Sequence, residues 1–134
     1  MRFFKAYVVG MFFPGILVPF IYLIPRYFGY GPFVNHPFQI LALSIPVIWG
    51  LWNTITVFIG EHFPEKSWAF KSKVFGLVLG LIAGIISVTV FPVFKYIFNF
   101  EGYLNYSSLI ILPIVYAFLW RFVVDNLNST FDIY

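Results

Sequence analysis

The sequence contains no cysteine and few charged side chains. Of its 134 residues, 10% are Asp, Glu, Lys or Arg, whereas 61% are hydrophobic. The absence of cysteine excludes disulfides, thiolate metal ligands and cysteine nucleophiles. A water-soluble domain of this length would need far more polar surface, so the composition is typical of a membrane protein.

Acidic groups are missing from the interior of the long apolar runs, which leaves a relay of buried carboxylates without support. No phosphate-binding glycine loop and no nucleophile elbow is found either. Glu61, His62 and Glu65 lie close together, but their spacing matches no recognised pattern of metal ligands, and a solvated loop is the preferred interpretation. We therefore expect no enzymatic activity, no catalytic residue, no metal and no cofactor.

Four apolar runs are long enough to cross a hydrocarbon core, which needs roughly 20 residues per helix. They cover residues 6–24, 38–59, 74–98 and 108–124. These runs predict an all-α integral membrane protein, a four-transmembrane-helix bundle that forms a single transmembrane domain over residues 1–134. The first run follows a basic start, as in a signal peptide, but it is long for that role, so we expect an uncleaved helix.

The distribution of Lys and Arg predicts the orientation. Four crossings put six of these residues on one side and two on the other, and the more basic side is normally cytoplasmic. We expect a plasma or inner membrane with both termini and the 61–73 loop in the cytoplasm. The six residues are Arg2, Lys5, Lys66, Lys71, Lys73 and Arg121, and the two are Arg26 and Lys95.

Two sequence segments recur. FKAYVVG at residues 4–10 returns as FKSKVFG at 70–76, and IPVIWG at 45–50 resembles LPIVYA at 112–117. The offsets are 66 and 67 residues. We interpret them as two duplicated parallel helical hairpins, in repeat units 1–67 and 68–134, related by an axis along the membrane normal. Chance similarity in a chain rich in Phe and Val is the alternative.

The third run carries small residues at helical spacing. Gly76, Gly80 and Gly84 are four residues apart, and Ser87 lies on the same face. This glycine zipper predicts close helix packing, because small residues let helix backbones approach each other in lipid. A pore-lining or lipid-binding groove is the alternative. The pattern does not distinguish a partner helix in this chain from one in a second copy.

Asn53 is the only amide in the interior of a predicted span. Because an amide facing lipid is costly, we expect it to point inward and to hydrogen-bond to a neighbouring helix, with contact to a substrate as the second interpretation. Pro14 and Gly15 lie near the middle of the first span, where a broken helix can expose carbonyls to an ion, although a simple kink is the preferred interpretation. The candidate binding residues are Asn53, Trp49, Thr56, Pro14 and Gly15.

The function predicted from these features is that of a non-enzymatic transport bundle, or of a bundle that binds a solute or lipid. A membrane scaffold or accessory subunit packed against a larger partner is the alternative. The expected partners are membrane lipid and either a second copy, which would make a homo-oligomer, or a larger membrane protein. Nucleic acid is not expected.

Overall fold

A computed structural model describes residues 1–29 and 36–134, apart from the side chains at positions 25, 36–38, 96 and 97. No strand occurs among the described residues. A 3₁₀ helix, Gly102–Ser107, leads into α5, and a π turn, Trp120–Val124, joins α5 to α6 without a break. The α-helices are α1 (Arg2–Tyr27), α2 (His36–Gly60), α3 (Trp68–Thr89), α4 (Val93–Phe98), α5 (Ser108–Leu119) and α6 (Asp125–Thr130).

Four helical segments are long and apolar enough to cross a membrane, which confirms the predicted all-helical architecture with four such helices. They are Arg2–Ile24, Gln39–Gly60, Trp68–Thr89 and Gly102–Thr130. The third boundary differs from the predicted 74–98. Pro92 disfavours the α conformation of the residue before it, so α3 ends at Thr89 and α4 forms a separate short helix.

The described residues form two compact units. Unit 1 consists of residues 1–64 and 126–134, and unit 2 consists of residues 65–125. The main feature of each unit is an antiparallel pair of long helices, α1 with α2 in unit 1 and α3 with α5 in unit 2. Residues 126–134, which the sequence assigned to the second repeat, belong to the first compact unit.

Glycines bring α1 and α2 of unit 1 into backbone contact. A Cβ atom added at Gly10 would lie 2.6 Å from the carbonyl oxygen of Trp49 and 2.9 Å from the Cα of Gly50. A Cβ at Gly50 would lie 2.7 Å from the side chain of Met11. Such separations are too short for a real Cβ, so the two helices approach this closely only because both positions are glycine. Close approach increases the number of dispersion contacts between helices.

In unit 2, glycines of α3 face the return helix of the same chain. A Cβ at Gly76 would lie 2.5 Å from the carbonyl oxygen of Tyr116, and one at Gly80 would lie 2.5 Å from the Cα of Pro113. Gly84 is placed in the same way, 2.9 Å from the carbonyl oxygen of Ser108. Ser87, on the same face, is 2% exposed. The helix that meets this stripe is therefore α5 of the same chain.

The close contacts of the two units occupy corresponding positions. In each unit a glycine of the first long helix approaches three residues of the return helix. The four residues of unit 2 lie 66 or 67 positions after the corresponding four residues of unit 1. Burial follows the same offsets, since Ala6 and Ser72 are both buried, as are Val57 and Val124. The two sets are Gly10 with Trp49, Gly50 and Asn53, and Gly76 with Tyr116, Ala117 and Trp120.

Candidate functional site

Asn53 and Asn128 form a buried amide pair in unit 1. The Nδ2 atom of Asn53 donates to Oδ1 of Asn128 at 2.8 Å, and Nδ2 of Asn128 donates to Oδ1 of Asn53 at 2.9 Å. The two residues are 0% and 1% exposed. Because each carboxamide supplies both a donor and an acceptor, the two side chains satisfy each other and the cost of burying them falls.

Further hydrogen bonds extend the amide pair on both sides. Nδ2 of Asn53 also donates to the carbonyl of Ala6 on α1 at 2.8 Å, so the predicted bond to a neighbouring helix is confirmed. Nδ2 of Asn128 lies 3.3 Å from the hydroxyl of Tyr134. The hydroxyl of Thr56, 1% exposed, donates to the carbonyl of Trp52 on its own helix at 2.9 Å. A substrate could reach the Asn53 amide only by displacing these bonds, and its binding role stays a prediction.

Residues 126–134 complete the apolar core of unit 1. Ile133, 1% exposed, packs in one cluster with Ala6 and Val9 of α1 and Val57 of α2. Burying a side chain of this size contributes about 1.5–3 kcal/mol relative to leaving it in water. The segment thus combines a polar contact at Asn128 with an apolar contact at Ile133.

Arg2 links both helices of unit 1 to the 126–134 segment. Its Nε donates to the carbonyl oxygen of Ile133, and its Nη1 pairs with Oε1 of Glu61 at the end of α2. The side chains of the ion pair are 41% and 36% exposed, and exposed pairs typically contribute only about 0–1 kcal/mol. This ion pair therefore contributes little to stability.

The other candidate binding residues have different surroundings. Trp49 is 4% exposed, and its ring stacks on Phe13 of α1 with centroids 5.9 Å apart. Pro14 is buried within α1, which continues through it from Arg2 to Tyr27. Gly15 is exposed, and a Cβ there would meet no atom within 4 Å. Asn53, Trp49 and Thr56 are therefore buried on α2, whereas Gly15 lies on an open face of α1.

Sequence analysis missed Asn128, Ile133 and Tyr134. The predicted fourth span ended at residue 124, whereas the helix continues to Thr130. The available signal was the return of apolar and aromatic residues in FDIY at 131–134, directly after the polar stretch at 125–130. In the structure the polar helix end at residues 125–130 is followed by the buried Ile133.

Metal-ligand groups do not gather in the described part of the chain: no three His, Asp or Glu side chains are close enough there to hold one ion. Glu61 pairs with Arg2. Nδ1 of His62, in the turn after α2, lies 3.0 Å from the carbonyl oxygen of Phe58 on α2. These contacts account for two of the three residues considered from the sequence.

An apolar groove with a basic end runs along the outside of unit 2. It has a volume of about 390 Å³ and is lined by residues of α3 and by residues of and just after α5, among them the half-buried Ala117. Nη1 of Arg121 binds Oδ2 of Asp125 at 2.7 Å. The principal lining residues are Val74, Leu77, Ile114 and Phe118, with Lys73 and Arg121 as the basic ones.

These features define a class rather than a family: an all-helical protein with four helices able to cross a membrane and with closely packed helix pairs. Comparison of the chain with protein-family models, with curated proteins and with solved structures finds no match. The functional argument therefore rests on the geometry of the two units.

Proposed function

We propose that the chain is an integral membrane protein of two repeated helical hairpins that binds lipid or another apolar molecule along their outer faces. The observation that carries this proposal is the contrast between the inside and the outside of each hairpin. Inside, helix backbones touch at Gly10 and Gly76, and the Asn53 amide is bonded to protein groups. Outside, apolar grooves are open.

Membrane insertion is supported by the outward-facing side chains of the long helices. Leu43, Ile110 and Ile114 are 65–78% exposed, and many other large apolar side chains share this position. Contiguous apolar surface of this kind is unfavourable in water, but it needs no covering in a hydrocarbon solvent. The proposed orientation, with both termini in the cytoplasm of a plasma or inner membrane, follows from the six-to-two distribution of Lys and Arg.

Duplication is supported by the agreement between sequence offset and packing offset. Gly10 and Gly76 are 66 positions apart. The residues that Gly76 meets on its return helix lie 67 positions after those that Gly10 meets on the other return helix. Pro46 and Pro113, inside those return helices, also differ by 67. Chance similarity of apolar sequence would give no reason for the helix contacts to share this register. A parallel repeat follows, because both hairpins begin with a basic segment.

Conduction of a polar solute through the interior of one hairpin has less support. The first span contains no charged side chain between residues 6 and 24, and Asn53 already makes hydrogen bonds within the protein. Binding along the outer faces needs neither a polar path nor a change in these bonds. Assembly into an oligomer remains part of the proposal, since outer faces that bind lipid can also bind a second copy.

The test is to purify the full chain in a mild detergent and to count retained lipids by native mass spectrometry during stepwise delipidation. Specific binding predicts discrete lipid-bound species that persist after the bulk lipid has gone. Steady loss of all lipid, together with a larger membrane protein that co-purifies in fixed stoichiometry, would contradict lipid binding and favour the accessory-subunit alternative.

A further inference from the structure

We propose that the groove of unit 2 is a site for one anionic phospholipid, an inference that rests on the proposed function above. An acyl chain would lie between α3 and α5, against Leu77 and Ile114. The phosphate would lie at the basic end, between Lys73 and Arg121. The groove combines an apolar lining with two cations at one end. A phospholipid matches both features, whereas a simple apolar solute matches only the first.

The antiparallel packing of α3 and α5 places both cations at the same end of the groove. Lys73 lies near the start of α3, three residues before Gly76, whereas Arg121 follows the end of α5. The contact of Gly76 with Trp120 brings these two helix ends together, since a Cβ at Gly76 would lie 2.6 Å from the Cβ of Trp120. The apolar lining then extends from this end toward the middle of the helices.

The charges at this end favour an anion. Asp125 binds Nη1 of Arg121 and holds the guanidinium in place, but a guanidinium carries five N–H donors, so others remain to bind a phosphate oxygen. Lys73 forms no ion pair within the described residues and adds a second cation. With Asp125 counted, the end has a net charge of +1. An anionic headgroup is therefore favoured over a zwitterionic one, whose own cation would be repelled.

Unit 1 lacks this combination at the corresponding positions. By the offsets of 66 and 67, Tyr7 stands in place of Lys73 and Thr54 in place of Arg121. The side chain of Tyr7 also lies against Gly50, which corresponds by offset to Ala117 of the groove. A smaller groove of about 200 Å³ in unit 1 has Lys5 as its single basic residue. The paired cations are thus specific to unit 2.

The experiment measures retention of phosphatidylglycerol and of phosphatidylcholine with identical acyl chains by the purified full chain, using native mass spectrometry. Phosphatidylglycerol should be retained at least fivefold better. Lys73→Gln should lower its retention about fivefold, the effect of one basic residue beside an anionic headgroup. Lys66→Gln is the matched control, because it removes the same charge seven residues earlier, just before α3, at a position that does not line the groove. Its retention should equal that of the wild type.

A second variant tests the apolar part of the site without changing charge. Ile114→Trp adds bulk at a position 65% exposed, so it should fill the groove without disturbing the packed helix contact. It should reduce the retention of both lipids at this site. Retention of lipid at the wild-type level in this variant would overturn the inference.

Other outcomes separate this inference from the proposed function. Equal retention of the two lipids, or equal loss in Lys66→Gln and Lys73→Gln, would overturn the anionic site and leave lipid binding along the outer faces intact. If neither lipid is retained, the proposed function fails, and this inference fails with it.

Discussion

Replacing Asn53 by alanine removes one member of the buried amide pair and breaks three hydrogen bonds, two with Asn128 and one with Ala6. Side-chain hydrogen bonds between membrane helices contribute about 0.6 kcal/mol each on average. The loss of three should therefore lower the free energy of unfolding by about 2 kcal/mol. Asn128→Ala breaks the same two mutual bonds and the longer bond to the Tyr134 hydroxyl, so it should lower the free energy of unfolding by a similar amount.

The coupling energy between the two asparagines tests the pair more directly than the effect of either single variant on the free energy of unfolding. Two mutual hydrogen bonds predict a coupling energy of about 1 kcal/mol in a double-mutant cycle. The cycle compares the wild type, Asn53→Ala, Asn128→Ala and the double variant. Unfolding would be driven by sodium dodecyl sulfate in mixed micelles and followed by circular dichroism.

Ser129→Ala is the control for this cycle, because Ser129 is an exposed neighbour of Asn128 on the same helix. It should change the free energy of unfolding by no more than about 0.5 kcal/mol. Hydrogen exchange in residues 126–134 should also accelerate in both single asparagine variants, since either one releases this segment. If the effects of Asn53→Ala and Asn128→Ala simply add, within about 0.3–0.5 kcal/mol, the pair does not couple the segment to α2 and the reasoning is refuted.

Three further predictions test packing and orientation. Gly80→Ala should lower the stability of the protein by about 1–3 kcal/mol, because its Cβ would lie 2.5 Å from the backbone of α5. Gly15→Ala, at an open helical position, should leave stability unchanged or raise it by up to about 1 kcal/mol. Equal effects of the two substitutions in detergent unfolding would contradict the packing argument. Ile133→Ala should lower stability by about 2–5 kcal/mol because it empties a fully buried position, and an unchanged unfolding curve would show that the segment is not packed. In intact cells, a cysteine introduced at Glu65 should be protected from an impermeant maleimide, and a cysteine introduced at Glu101 should be labelled. The sequence contains no native cysteine that would add background labelling. The reverse pattern would invert the proposed topology.

The number and type of the long helices could be predicted from the sequence, because length and apolar composition alone decide whether a helix can span a membrane. The inward direction of Asn53 was predictable for a related reason, since hydrocarbon offers an amide no partner. The contact between the α3 glycines and α5 was foreseen only as a contact with some helix. Sequence spacing describes one face of one helix and carries no information about which helix meets it.

Three features could not be predicted, each for a physical reason. The helix beyond residue 124 is polar, so a search for apolar runs stops before Asn128 although the backbone stays helical. The π turn at Trp120–Val124 has no established sequence signal, yet its wider turn changes which face the following residues occupy. The partner of Asn53 lies 75 residues away along the chain, and only the folded arrangement identifies it.

The internal similarity was visible as a sequence echo, but its register was not. In the middle of the chain, apolar segments can be aligned at several offsets, because Phe, Val, Ile and Leu replace one another freely. Gly10 and Gly76 each meet the return helix at one place, and these contacts favour the offsets of 66 and 67 in the proposed alignment. These glycine contacts are a stronger guide to the proposed alignment than residue identity is, because a larger side chain at Gly10 or Gly76 would clash with the facing backbone.

The separation of the amide pair along the chain has a consequence for synthesis in the cell. At 5–20 residues per second, Asn128 is made about 4–15 s after Asn53. During this interval the first hairpin is already translated, and Asn53 can form its bond to Ala6 but not its two bonds to Asn128. A half-made chain therefore leaves one N–H and the oxygen of the Asn53 amide without the partners that Asn128 supplies in the folded protein. The two mutual bonds therefore form only after the second pair of long helices has been translated.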